Sequence, residues 1–306
     1  MTKNHCYYYI IARLAKEKGI DLNEIDIFYL LGGYGLKIEE MNNGYFPHIS
    51  VTGNKVNNEI FEDRTGIKFF HLNYTTEKFE VANLIEALKV RNYVSAVANC
   101  YFLTYDHLNY KNNIGSHFIF IHQYDISNDT FLVSDNKFEC VSIKRNDLDI
   151  ALKNVPNSNN EVSFFDIEVV VEDVGIKDRI PEIIKLNALE LLKNCKKELL
   201  NLKKGLEKLK TLEPIYKSLS YTETLNSIKS LNGPIVSRKY LLQSFTDDEI
   251  RREINKLIGM WEKLCISLYK IYEIGTDINL DGQLEDILEL ELLINEKILN
   301  NGRIVI

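Results

Sequence analysis

Apolar and polar positions divide the chain into two parts with different rhythms. Up to about residue 175, short β-rich runs alternate with helical stretches and turns; after Pro181 the pattern is almost wholly helical. In the first part, residues 7–18 predict a helix stopped by Gly19, with Asn4 available to cap it. Residues 21–31 predict a second helix, closed by Gly32-Gly33-Tyr34-Gly35. Over residues 77–91, Phe79, Leu84, Ala87 and Leu88 fall at helical spacing. Residues 93–103, 117–124 and 130–134 read as strands. The last two are joined into a hairpin by the turn-forming run Asp125-Ile126-Ser127-Asn128-Asp129. A short helix over 146–152 and a strand over 162–171 close this part.

In the second part, Pro181 suits the first turn of a long helix reaching about residue 211. Leu186, Leu189, Leu192, Leu199, Leu202, Leu206 and Leu209 give it a wide apolar stripe. Further helices are expected over 221–231, over 238–272 with a break near Thr246, and over 283–299. Short connections between such helices favour a bundle. The expected architecture is therefore an α+β domain over residues 1–175 followed by a helical-bundle domain over 176–306.

Composition narrows the function classes. Hydrophobic residues at 45% and charged residues at 26% are a globular balance. A formal charge of −7 argues against broad nucleic-acid binding, which needs a basic surplus. No run approaches the roughly 20 apolar residues of a membrane helix, and Met1 to Cys6 lacks a secretory layout. A cytoplasmic protein without a membrane partner is expected. The five cysteines are odd in number, far apart and without a CxxC pair, and His5, His48, His71, His107 and His122 show no ligand spacing. Neither a disulfide framework nor a metal site is expected. Neither GxGxxG nor a Walker pattern occurs. The lysines 193, 196, 197, 203, 204 and 208 read as a solvated helix face, which an acidic carrier protein could also meet.

Three residues carry candidate chemistry. Cys6 sits at the start of the first predicted helix, where amide groups and the helix dipole favour a thiolate. His117 begins one strand of the hairpin and Asp135 directly follows the other. In an antiparallel pair these ends share one sheet edge, so the carboxylate can orient the imidazole and stabilise its charged form. A nucleophile, a base and an orienter are thus available. Taken singly, each residue also has an ordinary reading: an inert core thiol, a satisfied structural histidine, a turn aspartate.

The run His5-Cys6 with its helix, Leu31-Gly32-Gly33-Tyr34-Gly35 and Asn99-Cys100-Tyr101-Phe102-Leu103-Thr104-Tyr105 form one set of motifs. The histidine strand 115–125 with Phe131-Leu132-Val133-Ser134-Asp135 forms another. Together, over roughly residues 1–165, they resemble the N-terminal domain of the butirosin-biosynthesis acyltransferase family, papain-like relatives of C39 peptidases. Arg238-Lys239-Tyr240, Phe245 and Met260-Trp261-Glu262-Lys263-Leu264 resemble that family's helical C-terminal domain, as in the amide synthetases of closthioamide assembly. The resemblance implies a papain-like fold and catalysis by Cys6, His117 and Asp135. It implies transfer of an acyl group from an acyl or peptidyl carrier protein to a small amine, without ATP. No resident cofactor is expected, since phosphopantetheine arrives on the carrier. One departure stands out: C39 peptidases place an oxyanion-hole glutamine several residues before the cysteine, and none of the five residues before Cys6 is Gln. The expected donors are the Cys6 amide and Asn99, with Tyr8 and Tyr101 lining the substrate site. A peptidase or thioesterase on the same triad, and a non-catalytic scaffold, are the alternatives.

Overall fold

The computed structural model describes residues 5–42, 45–53, 57–156, 158–169, 175–276 and 278–301; Asn4 and the last two residues of the strand expected over 162–171 lie outside them. In chain order come α1 (Cys6–Glu17), α2 (Glu24–Leu30), β1 (Lys37–Asn42), β2 (Pro47–Thr52), α3 (Asn58–Thr65) and β3 (Ile67–Thr75). They are followed by α4 (Val81–Arg91), β4 (Val94–Asn99), a 3-10 turn (Cys100–Phe102), β5 (Ser116–Asp125), β6 (Thr130–Ser134) and β7 (Val141–Lys144). Next are α5 (Arg145–Lys153) and β8 (Glu161–Val169), then the helices α6 (Ile176–Lys210), α7 (Pro214–Lys229), α8 (Pro234–Gln243), α9 (Asp248–Glu273) and α10 (Asp281–Asn301). The class is α+β, with antiparallel sheets and a helical C-terminal region.

Two compact units emerge: Met1–Ile27 with Gly66–Asp173, and Phe28–Thr65 with Val174–Ile306. The division falls elsewhere than the single cut expected at residue 175, with residues 28–65 on the helical side. Residues 28–65 fall with the helices because, among the described residues, β1 and β2 pair only with each other; Ile38 N–H of β1 donates to Glu198 of α6 at 2.8 Å, and in β2 Ile49 N–H donates to Thr224 Oγ1 of α7 at 3.1 Å and Val51 N–H to Ser227 Oγ at 2.9 Å. Only one position of β1 is buried, so its pattern carries little strand signal.

The first unit is built on a six-stranded sheet in the order β3-β8-β4-β5-β6-β7. Alternation along its central strands sends Ala96, Ala98, Ile119, Ile121, Phe131 and Val133 to one face, against Leu84 and Leu88 of α4 and Leu148 and Leu152 of α5. The other face meets α1: Tyr7 lies 4.9 Å from Phe118, and the Arg13 guanidinium sits over Phe120. The pairs Phe120↔Ser134 and Ile121↔Val133 set the hairpin register. Continued by one step, it brings Asp135 opposite Ile119, two residues from His117 and on the same face.

In the second unit, α6 starts a turn earlier than expected, so Pro181 lies inside it rather than in its first turn. Its missing N–H costs one helical bond, while Ile176 and Ile180 are buried beyond it on the N-terminal side. The leucine stripe is corrected too: Leu186 and Leu189 are 56% and 39% exposed. The buried face there runs through Ile180, Ile184, Asn187, Leu191 and Cys195 before joining Leu199, Leu202, Leu206 and Leu209. Steps of three drift round a 3.6-residue helix, whereas alternating steps of three and four hold one face. The break near Thr246 separates α8 from α9, whose start Asp247 caps through Glu249 N–H at 2.9 Å and Ile250 N–H at 3.0 Å. Arg238 is fully buried in this unit, pairing with Glu291 at 2.7 Å and donating to the Gly35 carbonyl at 2.7 Å. Trp261 Nε1 donates to the same Glu291 carboxylate.

Candidate active site

Cys6 is the first residue of α1, and its cap is His5 rather than Asn4. His5 has extended backbone, φ −135° and ψ 115°, and its Nδ1 accepts the Tyr7 N–H at 3.2 Å. The ring is half-buried and stacks on Tyr8 with centroids 4.0 Å apart. Burial pulls its pKa down to about 4, so it is neutral at physiological pH.

The Cys6 sulfur lies within the electrostatic reach of His117 and of the Phe118 and Tyr7 amides. Burial alone would raise its pKa; the His117 bond and charge, with those two amides, more than offset burial and hold the thiol below its ordinary value. His117 Nε2 lies 3.0 Å from Asp135 Oδ2. That nitrogen is engaged by the carboxylate, which leaves Nδ1 to face the thiol. Burial works against the charged ring, but Asp135 and Cys6 together push the imidazole up to about 9. Each group therefore shifts the other toward its charged form, thiolate and imidazolium.

Asp135 is fully buried, with both carboxylate oxygens occupied. Oδ1 accepts the Lys137 and Phe138 N–H groups at 2.7 and 2.8 Å. Oδ2 accepts from His117 and also from the Tyr105 hydroxyl at 3.1 Å. Burial would raise this carboxyl; the His117 bond and charge and the two amides hold it below the ordinary carboxylate value. The turn after β6 thus makes the orienter a rigid acceptor, and Tyr105, 5.5 Å from Phe138 between ring centroids, braces that turn.

The structure brings Cys6, His117 and Asp135 together; it places the remaining expected residues differently. Asn99 is buried with its amide engaged elsewhere: Oδ1 accepts the Tyr101 N–H at 3.0 Å and Nδ2 donates to the Asn154 carbonyl at 2.7 Å. It caps the 3-10 turn, and no contact carries it to the Cys6 sulfur. Tyr101 is half-buried, and its ring meets Phe102 edge-on at 5.0 Å. Tyr8 is wholly buried behind His5, and Tyr9 is buried with its hydroxyl on Glu139 at 2.8 Å, so two of the three tyrosines after the cysteine are core. Sequence reasoning gave no role to Tyr105 or to the imidazole cap at His5. A tyrosine that touches a carboxylate thirty positions away has no local signature, whereas a histidine directly before a cysteine at a helix start does. An apolar pocket of about 150 Å³, lined by Phe70, Leu72, Tyr74, Ala87, Val94 and Phe164, opens at the far end of β4 and contains none of the three residues. Among the described residues, no three His, Cys, Asp or Glu side chains gather to hold a metal ion.

The span holding all three residues, 5–136, matches the family model described as butirosin biosynthesis protein H, N-terminal. Over these residues the chain is similar to that family. The matched span begins one residue before Cys6 and ends one residue after Asp135. The description names a biosynthesis protein. A search among curated proteins returns no match. Among the described residues, no helix is long and apolar enough to cross a membrane.

Proposed function

We propose that the chain is a papain-like acyltransferase in which Cys6 is the nucleophile, His117 the general base and acid, and Asp135 the orienter. The observation that carries this reading is His117 bonded to a buried, four-donor Asp135 while acting on the Cys6 sulfur at the start of α1, all within the matched span. The Cys6 thiolate attacks the carbonyl carbon of a carrier-bound thioester, and the π electrons move onto oxygen. Collapse breaks the bond to the carrier sulfur, which takes the proton of the His117 imidazolium. An amine then attacks the acyl-cysteine, gives its proton to the neutral His117 ring, and leaves as an amide while Cys6 departs as thiolate. Aminolysis of a thioester is downhill, so no nucleotide is required. The donor is an acyl or peptidyl carrier protein, the acceptor a small amine, and the setting cytoplasmic natural-product biosynthesis.

The test is intact mass after mixing the protein with a simple acyl thioester, followed by product analysis with an amine panel. An acyl adduct on wild type that is missing from Cys6→Ala, and amide as the product, are expected. Free acid as the sole product at saturating amine, or rapid peptide cleavage, overturns transfer in favour of hydrolysis. No adduct at all removes Cys6 as a nucleophile.

A further inference from the structure

We infer that His5 is an oxyanion-hole residue, its Nε2–H and the Cys6 amide N–H together binding the oxygen that becomes negative when an acyl group adds to Cys6. The inference rests on the transfer reading above and assigns a donor that this reading leaves open.

A backbone amide can only donate. Because the Tyr7 N–H points at His5 Nδ1, that nitrogen carries the lone pair. The neutral ring then holds its proton on Nε2, consistent with a pKa pulled down to about 4 by burial. Among the described residues, this Nε2–H has no hydrogen-bond partner. The ring is held rigidly over the first turn of α1 from two sides, by the Tyr7 amide and by the stack on Tyr8. The Cys6 N–H, at the first helical position, has no carbonyl in its own helix to meet. Two donors, one on the nucleophile's own residue and one on the residue before it, are therefore uncommitted among the described residues. The other donors nearby are committed: Tyr7 N–H to His5 and the sulfur, Asn99 Nδ2 to Asn154.

The choice of cap supports the same conclusion. Asp, Asn, Ser and Thr are the ordinary caps. An aspartate here would satisfy the helix but set a carboxylate against both the thiolate and the developing oxyanion. A neutral imidazole caps with one nitrogen and still offers a donor with the other.

His5→Asn separates these two roles, because the asparagine oxygen can cap Tyr7 while its short amide cannot span to the oxyanion. Two rates are measured on each variant: alkylation of Cys6 by iodoacetamide, which passes through no oxyanion, and acylation by a simple thioester, which does. The expected result is alkylation within about twofold of wild type and acylation slower by about 10²–10³. His5→Ser, also a good cap, repeats the test should the asparagine variant fold poorly. Acylation at the wild-type rate in either folded variant overturns the inference. So does a parallel fall in both rates, which would make His5 only a support for the thiolate. If wild type is alkylated but never acylated, it is the transfer reading that fails.

Discussion

Asp135 Oδ2 accepts from His117 and Tyr105 at once, so substitutions on either side of it have distinct consequences. In Asp135→Asn, an amide nitrogen facing His117 would force Nε2 to become the acceptor and move the ring proton to the nitrogen facing Cys6. The thiol then loses its base while the turn survives through the Lys137 and Phe138 amides. Acyl transfer should fall by up to about 10⁴ yet remain measurable; full activity would make Asp135 a turn residue only. Tyr105→Phe leaves the His117 bond in place and should cost about 1.5–3 kcal/mol of stability, read by urea unfolding, with a small loss of rate. The charge pair also has a pH signature. His117, raised from 6.5 to about 9, contributes stability that is fully present below pH 6.5 and is lost as pH rises through about 9. Asp135 and Cys6 are depressed, so their contributions are present above their ordinary values and fall away as pH drops through the lowered ones. Since Cys6 is one of the groups holding His117 up, Cys6→Ala should lower the imidazole midpoint in an NMR titration. An unmoved midpoint would mean that no ion pair forms.

At the level of elements, the candidate site is legible in the sequence because each member occupies an end: a helix start for Cys6, a strand start for His117, a strand end for Asp135. Hydrophobic alternation gives β5 and β6 nearly to the residue, and register then brings His117 and Asp135 to one edge. Asn99 also sits at a strand end, but position alone does not say that its amide turns back to cap the next turn. β1 and β2 escape the pattern because they are half-exposed and draw partners from helices α6 and α7, 160 to 176 residues further on. The glycines show how element packing decides tolerance. A Cβ on Gly33 would stand 2.3 Å from the Phe28 ring and 2.8 Å from its carbonyl oxygen, whereas a Cβ on Gly259 in α9 meets nothing within 4 Å. Gly33→Ala should therefore destabilise by about 1–3 kcal/mol, and Gly259→Ala should stabilise by about 0.5–1 kcal/mol. Chemical denaturation of the two variants checks both signs.

For the whole molecule, the decisive feature is that the chain leaves the first unit within α2 and re-enters it at Gly66. A break read from helical periodicity alone sees only the second crossing, near residue 175, because that is where strands stop. The earlier excursion carries Phe28, Tyr29, Leu31, Tyr34, Ile49, Val51 and Phe61, all buried to 1% exposure or less. Those side chains are covered in the helical unit: Tyr29 bonds Ser244, Tyr34 bonds Asn295, and Ile49 packs against Gly205 of α6. A fragment of residues 1–175 would keep the six-stranded sheet and the site while exposing that apolar segment to water. Burying one large apolar side chain is worth about 1.5–3 kcal/mol, so exposing several exceeds what a domain of this size holds in reserve. The fragment should aggregate or melt well below the full chain, even though all three site residues are present. Arg238→Ala in the full chain tests the same coupling by a different route, since it leaves the Glu291 carboxylate buried without its cation and frees the Gly35 carbonyl. It should cost about 3–5 kcal/mol, measured by thermal or urea unfolding. A soluble 1–175 fragment with a cooperative transition, together with a near-normal Arg238→Ala, would mean that residues 28–65 fold without the helices.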